Sequence, residues 1–498
     1  MAKGPMQFDL SFGRPQGARR VEEEDPFRIL VLADLGASAS ARAMQPLAQR
    51  KPLAVDIDNF DAVFQRLAPR LELPLDGTPL SVEFGSLDDF HPDRLYARLA
   101  PFVALRQLRA ELADPAQFRR AAAALGAAPA AAGGWTQAGP AANANDIERL
   151  LGRKPAAPPP AAGIPPGLDI EGWLRGIVAP HVVPDIADEQ AQLIGAADAA
   201  IAAEMRRLLH HPAFQSLEAN WRGVERLVRE LDLGETLQLL LLDVTRDELA
   251  QDIEAHRGDL SQSALHRHLC GPQTEPPDGK RWSLLASDLA FGADIDALRL
   301  LAALGALAGR AGAPLLATAR PSLLGCERAD QLVDPKRWQP LDADSAAFWS
   351  ALRQSPVAPW IGLALPRVLA RQPYGKDSDP IAAFAFEELA PREHEAYLWG
   401  GPAFSLALLA GQAFMEAGWN MDLAAGLDLG DLPSHVYRED GESHQQACAE
   451  AAISESAGEA ILLQGTMALL SYRNRNAARL LRWQSIAEPL QPLQGAWV

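Results

Sequence analysis

The chain has 498 residues, 48% of them hydrophobic and 22% charged, and a formal net charge of −18 at pH 7. Its length suits two to four domains of about 100–200 residues each, and its composition is that of a soluble globular protein. The acidic balance excludes a general attraction to nucleic acid or anionic lipid. The three scattered cysteines, Cys270, Cys326 and Cys448, form neither a disulfide framework nor a tight metal knot, which fits a reducing compartment.

The first residues, MAKGPMQFDLSFGRP, lack the apolar run of about 7–15 residues that a secretion signal needs. Within them Phe8, Leu10 and Phe12 alternate with polar residues, the period of a strand with one apolar face. Such a strand either closes its own sheet or pairs with a neighbour's edge, and both readings stay open. Phe27 to Leu32, FRILVL, is a nearly continuous apolar run closed by Ala33-Asp34, as a strand buried on both faces reads. Asp58 is the expected N-cap of a helix whose apolar face is Phe60, Val63, Phe64 and Leu67. The aspartate-rich DIDNFD lacks the glycine and distal glutamate of an EF-hand, so capping is the expected job of its acids. Val82 and Phe84 suggest a further strand, and Pro92 opens a helix that Pro101 kinks or divides.

From about residue 121 to 166 alanine, glycine and proline dominate, in a composition that cannot bury enough apolar surface to offset ordering entropy. A linker is expected there, dividing a first part (1–120) from a second (167–498). Just beyond it Ile170, Trp173, Leu174, Ile177 and Val178 share one helical face. That helix is either a docking peptide or packed on its own domain.

In Leu208 to Leu231, Phe214, Leu217, Trp221, Val224, Val228 and Leu231 recur at steps of three and four, the stripe of an amphipathic helix. Pro212 suits its first turn, and Glu218–Arg222 and Glu225–Arg229 are i,i+4 pairs expected on the outer, charged face. Apolar strands then alternate with helices: 237–245, 282–290, 313–319 and 360–365. The βαβα order predicts an α/β fold with mixed or largely parallel sheets flanked by helices.

Chemistry is harder to find. Asp34, Asp243 and Asp288 sit near strand ends, where open α/β sheets bind ligands, so a metal or phosphate site is conceivable. The sequence carries no G-x-x-x-x-G-K-[ST], H-E-x-x-H or G-x-S-x-G to sharpen that idea. His256, His266, His268 and Cys270 form the densest ligand group, but His268 points away from the face that His266 and Cys270 share. His210-His211 and Glu393-His394-Glu395 are no stronger. No catalytic, cofactor or metal residue is assigned.

Two resemblances organise these pieces. FRILVLADLG, RKPLAVDIDNFDAVFQRLAPRLEL, SLDDFHPDRL and LRQLRAEL, over about 7–112, resemble the small subunit of the type VI secretion contractile sheath (the TssB, VipA or ImpB family). HHPAFQSLEANWRG, LLDVTRDELAQDI, APLLATARPSLLG, WIGLALPRVLARQPYG, YLWGGPAFSLAL, FMEAGWNMDL and LLSYRNRNAARL follow the large subunit (the TssC, VipB or ImpC family) over about 168–483. The resemblance implies a contractile-sheath-like fold and a non-enzymatic structural component of a type VI secretion system in the bacterial cytoplasm. It implies no cofactor. The implied partners are TssB and TssC subunits, with the Hcp inner tube, the baseplate and the disassembly ATPase ClpV as further candidates. In that family a helix near the large subunit's amino terminus is read by ClpV, whereas here the matching segment is internal.

Two departures accompany this. Both subunits lie on one chain, and the usual C-terminal region of the large subunit is missing, which leads us to expect an accessory or polymer-capping variant. The alternatives are a nucleotide- or metal-dependent enzyme using Asp243 or Asp288, and a soluble adaptor that binds sheath subunits or ClpV.

Overall fold

The apolar run that reads as a doubly buried strand becomes β1 (Phe27–Ala33), and in this computed structural model it lies in the interior of a large sheet. The structure describes residues 24–36, 42, 44–75, 78–126, 189–271, 280–390, 392–439 and 441–497. After β1 come β2 (Leu53–Val55), α1 (Phe60–Leu67), β3 (Arg70–Leu75), β4 (Thr78–Glu83), α2 (Pro92–Arg98), α3 (Ala100–Ala113) and α4 (Phe118–Gly126). From residue 189 the order is α5 (Glu189–Leu209), α6 (Pro212–Glu230), β5 (Leu237–Asp243), α7 (Arg246–Ala255), α8 (Ala264–Cys270), β6 (Leu284–Phe291), α9 (Ile295–Ala311) and β7 (Leu315–Ala319). Then follow α10 (Ala343–Arg353), β8 (Ile361–Leu365), β9 (Val368–Leu369), β10 (Trp399–Gly400), α11 (Pro402–Ala417), β11 (Asp428–Leu429), β12 (His435–Glu439), β13 (Glu442–Gln446), α12 (Glu455–Leu463), β14 (Met467–Ser471) and β15 (Ala478–Leu480).

These elements fall into two compact units, one from 1–69, 215–372 and 397–498, the other from 70–214 and 373–396. Each unit draws on residues from both sides of the stretch 127–188. Compactness therefore divides the chain differently from the expected parts 1–120 and 167–498.

In the first unit the sheet order is β11-β15-β14-β8-β7-β6-β1-β5-β2. β1 pairs in parallel with β5 from Phe27↔Leu237 to Ala33↔Asp243, and on its other side with β6 from Ile29↔Leu284 to Leu32↔Ser287. β6, β7, β8 and β14 continue the parallel run, while β2 pairs antiparallel with β5 on one side, and on the other β15 pairs antiparallel with β14 and β11 antiparallel with β15. The result is a mixed sheet flanked by helices, as the alternation of elements predicts. On one face Leu30, Leu32, Leu285 and Leu315 pack with Leu298, Leu301 and Leu304 of α9. A Cβ on Gly305 would meet Ile361 Cδ1 at 2.3 Å, so the missing side chain lets α9 lie close to β8. α11 lies against β6 and β7.

The second unit pairs β3 with β4 as an antiparallel hairpin and packs α3 against α4 and α5. Phe84, Phe90 and Phe214 form an aromatic cluster, with Phe84 and Phe90 stacked at 4.1 Å. Arg109 on α3 pairs with Asp198 on α5.

Two local expectations are made sharper and one, at Asp58, changes. The helix expected over 208–231 is the end of α5 plus α6, broken at His210-His211, with Pro212 in the first turn of α6. Pro101 divides rather than kinks, since α2 ends at Arg98 and α3 begins at Ala100. Asp58 is not the N-cap of α1; that position is Asn59, and no side chain caps it. Asp56 Oδ1 instead accepts from the Asp58 and Asn59 amides, and Asn59 Oδ1 accepts from the Asp56 amide, closing a tight Asx-type turn ahead of the helix.

Candidate functional site

Parallel pairing brings the three strand-end aspartates together. Asp34 follows β1, Asp243 ends β5 and Asp288 lies in β6, and β1 runs between the other two strands. Asp288 Oδ2 accepts from the Asp34 amide (3.0 Å) and from Asn220 Nδ2 (2.9 Å). Asn220, on α6, also donates to the Asp34 carbonyl at 3.0 Å. Asp243 Oδ1 accepts from the Leu35 amide at 2.8 Å.

The charges are balanced by two arginines that sequence patterns did not single out. Arg42 donates through Nε and Nη2 to Asp243 at 3.0 and 2.9 Å, a bidentate clasp, and Nη2 also reaches Asp34. Arg50, largely buried, bonds the Asp243 carbonyl (2.9 Å) and both carboxylate oxygens of Glu248. Glu248 in turn completes a capping box with Thr245 at the start of α7.

Burial opposes the charge on Arg42, but the bonds and charges of Asp243 and Asp34 outweigh it and raise its pKa. Burial likewise opposes ionisation of Glu248, and the Arg50 and Thr245 bonds more than offset that, so its pKa is lowered. Asp288 is different: burial dominates, and with Asp34 and Asp243 nearby its carboxyl is pushed up to about 7. Among the described residues no cation bonds it directly, and the Asp34 amide and Asn220 favour its anion.

Trp221 anchors the other side of this loop. It is fully buried, donates Nε1–H to the Leu35 carbonyl at 3.1 Å, and packs on Phe64 and Phe60 of α1 at 4.3 and 5.9 Å between ring centroids. A segment 186 residues away in sequence is thereby held on α6. Phe214 is also fully buried.

The charged face of α6 is not wholly a solvent face. The Glu218–Arg222 pair forms at 2.8 Å, and Glu225–Arg229 lies at 3.7 Å, but Glu218 is fully buried and also binds Arg371, itself 7% exposed, at 2.8 Å. Two guanidinium groups hold Glu218 below the usual carboxylate range against the opposing effect of burial. A signal existed in the spacing, because Glu218 stands four residues after Phe214 and three before Trp221, on the border of the apolar stripe.

The strand-end carboxylates thus serve as a latch that fixes β1, β5, β6 and α6 to one another. Beside it lies a cavity of about 280 Å³ floored by Leu53, Leu241 and Leu242, with Arg42 and Arg50 on its wall already turned toward Asp243 and Glu248. The histidine group does not converge on a point: His256 Nδ1 lies 2.7 Å from the Asp252 carbonyl, and His268 Nε2 lies 2.6 Å from the Leu47 carbonyl. Phe8, Leu10 and Phe12, together with Ile170, Trp173, Leu174, Ile177 and Val178, fall outside the described residues. Among the described residues no helix is long and apolar enough to cross a membrane.

Residues 191–487 match the family model described as EvpB/VC_A0108, tail sheath N-terminal domain. The chain belongs to this tail sheath family. Residues 9–121 match a second model, type VI secretion system, VipA, VC_A0107 or Hcp2. Among curated relatives, the type VI secretion system sheath protein TssC1 of Pseudomonas aeruginosa (strain PAO1) is 28% identical over 306 residues, 60% of this chain and 61% of TssC1. The sheath protein TssB1 of the same strain is 32% identical over 96 residues, 18% of this chain and 55% of TssB1. The chain thus spans less than two thirds of each relative and carries counterparts of both, in the order small then large. The aspartate latch joins the two matched stretches: Asp34 and Arg42 come from the VipA-like stretch, Asp243, Asp288 and Asn220 from the tail sheath stretch.

Proposed function

We propose that this chain is a non-enzymatic structural component of a type VI secretion system, a sheath protomer in which the counterparts of TssB and TssC are one polypeptide. One observation carries the reading: β1, from the VipA-like stretch, is an interior strand of the sheet built by the tail sheath stretch. A segment bonded on both edges to β5 and β6 cannot serve as an independent domain. It ties residues of both stretches into one sheet within the first compact unit, and one polypeptide fixes their stoichiometry at one to one. The latch supports a structural role over the enzymatic one, because Asp243 is clasped by Arg42 and Asp288 is buried on Asn220 and the Asp34 amide, which leaves neither poised toward a substrate.

Its partners in this reading are sheath subunits in the bacterial cytoplasm. Sheath work needs no substrate pocket, only two packings of subunits that differ in free energy. Electron microscopy of the purified full chain, alone and mixed with separate TssB and TssC, tests the proposal. The expected result is polymer formed by the chain itself or polymer that incorporates it. Unaltered assembly of the separate subunits together with no association of the chain would overturn it.

A further inference from the structure

The cavity beside the aspartate latch carries positive charge that the latch does not use. Four cations, Arg42, Arg50, Lys51 and Arg66, line it against one carboxylate, Asp243, in a chain whose net charge is −18. It lies at the carboxyl end of β5, where Leu241, Leu242 and Asp243 close the strand. Open α/β sheets bind ligands beyond the carboxyl ends of their strands.

Part of the charge is spent inside the protein. Bonds to the Gln45, Asp243 and Arg42 carbonyls and to both Glu248 oxygens account for every N–H of the Arg50 guanidinium. Arg42 is held by its clasp through Nε and Nη2, but among the described residues its Nη1 has no acceptor. Lys51, just before β2, and Arg66, in the last turn of α1, are exposed and form no ion pair among the described residues. The neighbouring carboxylates Asp34, Asp243 and Glu248 are bonded to Arg42 and Arg50 instead. Asp56 and Asp61, the acids closest to Lys51 and Arg66 in sequence, pair with neither. The cavity therefore keeps two uncompensated cations and a fixed guanidinium edge with donors to spare. Leu53, Leu67 and Leu241 give it an apolar bed, and its volume of about 280 Å³ suits a small ligand.

We propose that this cavity binds a small organic phosphate monoester, with the phosphate on Lys51, Arg66 and Arg42 Nη1 and the organic body on the leucines. Phosphate fits better than carboxylate, because it brings three acceptor oxygens and close to two negative charges to three cations. The ligand is held and not turned over, since Asp243 is already clasped. Arg42, Lys51 and Arg66 belong to the VipA-like stretch, and Leu241 and Asp243 to the tail sheath stretch, so the ligand would bridge the two. Such binding is independent of whether the chain polymerises.

Isothermal titration of the full chain with phenyl phosphate, inorganic phosphate and phenol reads the site, in about 0.1 M salt, where charges beyond about 10 Å are largely screened. Phenyl phosphate should saturate one site, inorganic phosphate should bind it more weakly, and phenol should not bind. Lys51→Gln/Arg66→Gln should weaken phenyl phosphate by about tenfold or more, the loss expected on removing charge-assisted hydrogen bonds. Arg257→Gln/Arg299→Gln removes as much charge from exposed positions outside the cavity and should leave binding within about twofold. Melting curves of both double variants show that they fold as the natural chain does. Absence of saturable binding by the natural chain, a Lys51/Arg66 variant that binds as well as it does, or equal weakening by the two double variants would overturn the proposal. So would inorganic phosphate that binds as tightly as the ester, which would leave the leucine bed without a role. A phosphoserine peptide that competes for the site and binds more tightly than phenyl phosphate would overturn it too, by moving the phosphate onto a partner protein.

Discussion

The middle of the large sheet and the hairpin at residues 435–446 treat polar groups in opposite ways. Around β1 the charges are buried and matched: Arg42 clasps Asp243, Arg50 holds Glu248, and Glu218 binds both Arg222 and Arg371. On the hairpin and the neighbouring turn, Glu442, Arg473 and Arg479 are exposed, and among the described residues none of them forms an ion pair. A buried network that is fully paired fixes which strand lies next to which, because any other register would strand a charge away from water. An exposed set of unmatched charges contributes little to the fold and remains available to another molecule. Interior polarity here specifies the chain's own architecture, and these surface charges do not.

Substitutions can break or sharpen that contrast. The largest effect is expected in the interior, where Glu218→Ala would remove the buried carboxylate that both Arg222 and Arg371 bond and cost about 3–5 kcal/mol. Trp221→Ala should cost about as much, roughly 3–5 kcal/mol, by emptying the site against Phe64 and releasing the Leu35 carbonyl. Both are read from the midpoint and slope of urea unfolding, and a loss below about 1 kcal/mol for either would show that the network is not what holds β1 in place.

Asp288→Asn should act in the other direction and with pH. The Asp288 carboxyl is raised from 3.8 in the unfolded chain to about 7 in the folded one. The folded state therefore binds the proton more tightly, and the stability this gives is complete below about pH 4 and lost as pH rises through about 7. Asparagine keeps a neutral acceptor for the Asp34 amide and Asn220, so the variant should be more stable than the natural chain at pH 8, by on the order of 2 kcal/mol, with the advantage shrinking toward pH 4. Melting curves at pH 5 and pH 8 measure it, and a pH-independent difference would contradict the assignment to Asp288. The smallest effect belongs to the hairpin: Val436→Thr should change unfolding stability by no more than about 0.5 kcal/mol, as is usual for surface sites.

Much of the first unit was legible in the sequence because doubly buried strands announce themselves. FRILVL, LQLLLLD and WIGLAL could hardly be anything else, and β1, β5 and β8 fall within one or two residues of where their apolar runs end. Their neighbours were not legible. A strand buried on both faces carries no mark of what lies beside it, so nothing in the run 27–32 says that it separates β5 from β6.

The same limit applies to the latch. Asp34, Asp243 and Asp288 stood out by position at strand ends, yet Arg42 is 201 residues from Asp243 and only pairing of the strands makes them neighbours. Glu218 was misjudged for a related reason. Its local pair with Arg222 looks like an exposed i,i+4 bridge, and only Arg371, 153 residues later, shows that it is interior. At Asp58 the error was local: several aspartates and an asparagine in a row compete for the same few amides, and composition does not rank them.

The place of β1 also sets an order of events in the making of the protein. β5 and β6 are not adjacent, so the strand between them must arrive from a segment 210 residues earlier in the chain, the separation of Arg28 from Gln238. On a ribosome adding about 5–20 residues per second, β1 emerges roughly 10–40 s before its first partner exists. During that interval an apolar strand with both edges open has nothing of its own to pair with, and β5 and β6 cannot close the sheet around a gap. Production of this chain should therefore be limited by how well β1 is shielded while the rest is synthesised, a burden that separately made subunits would meet as an encounter between two chains.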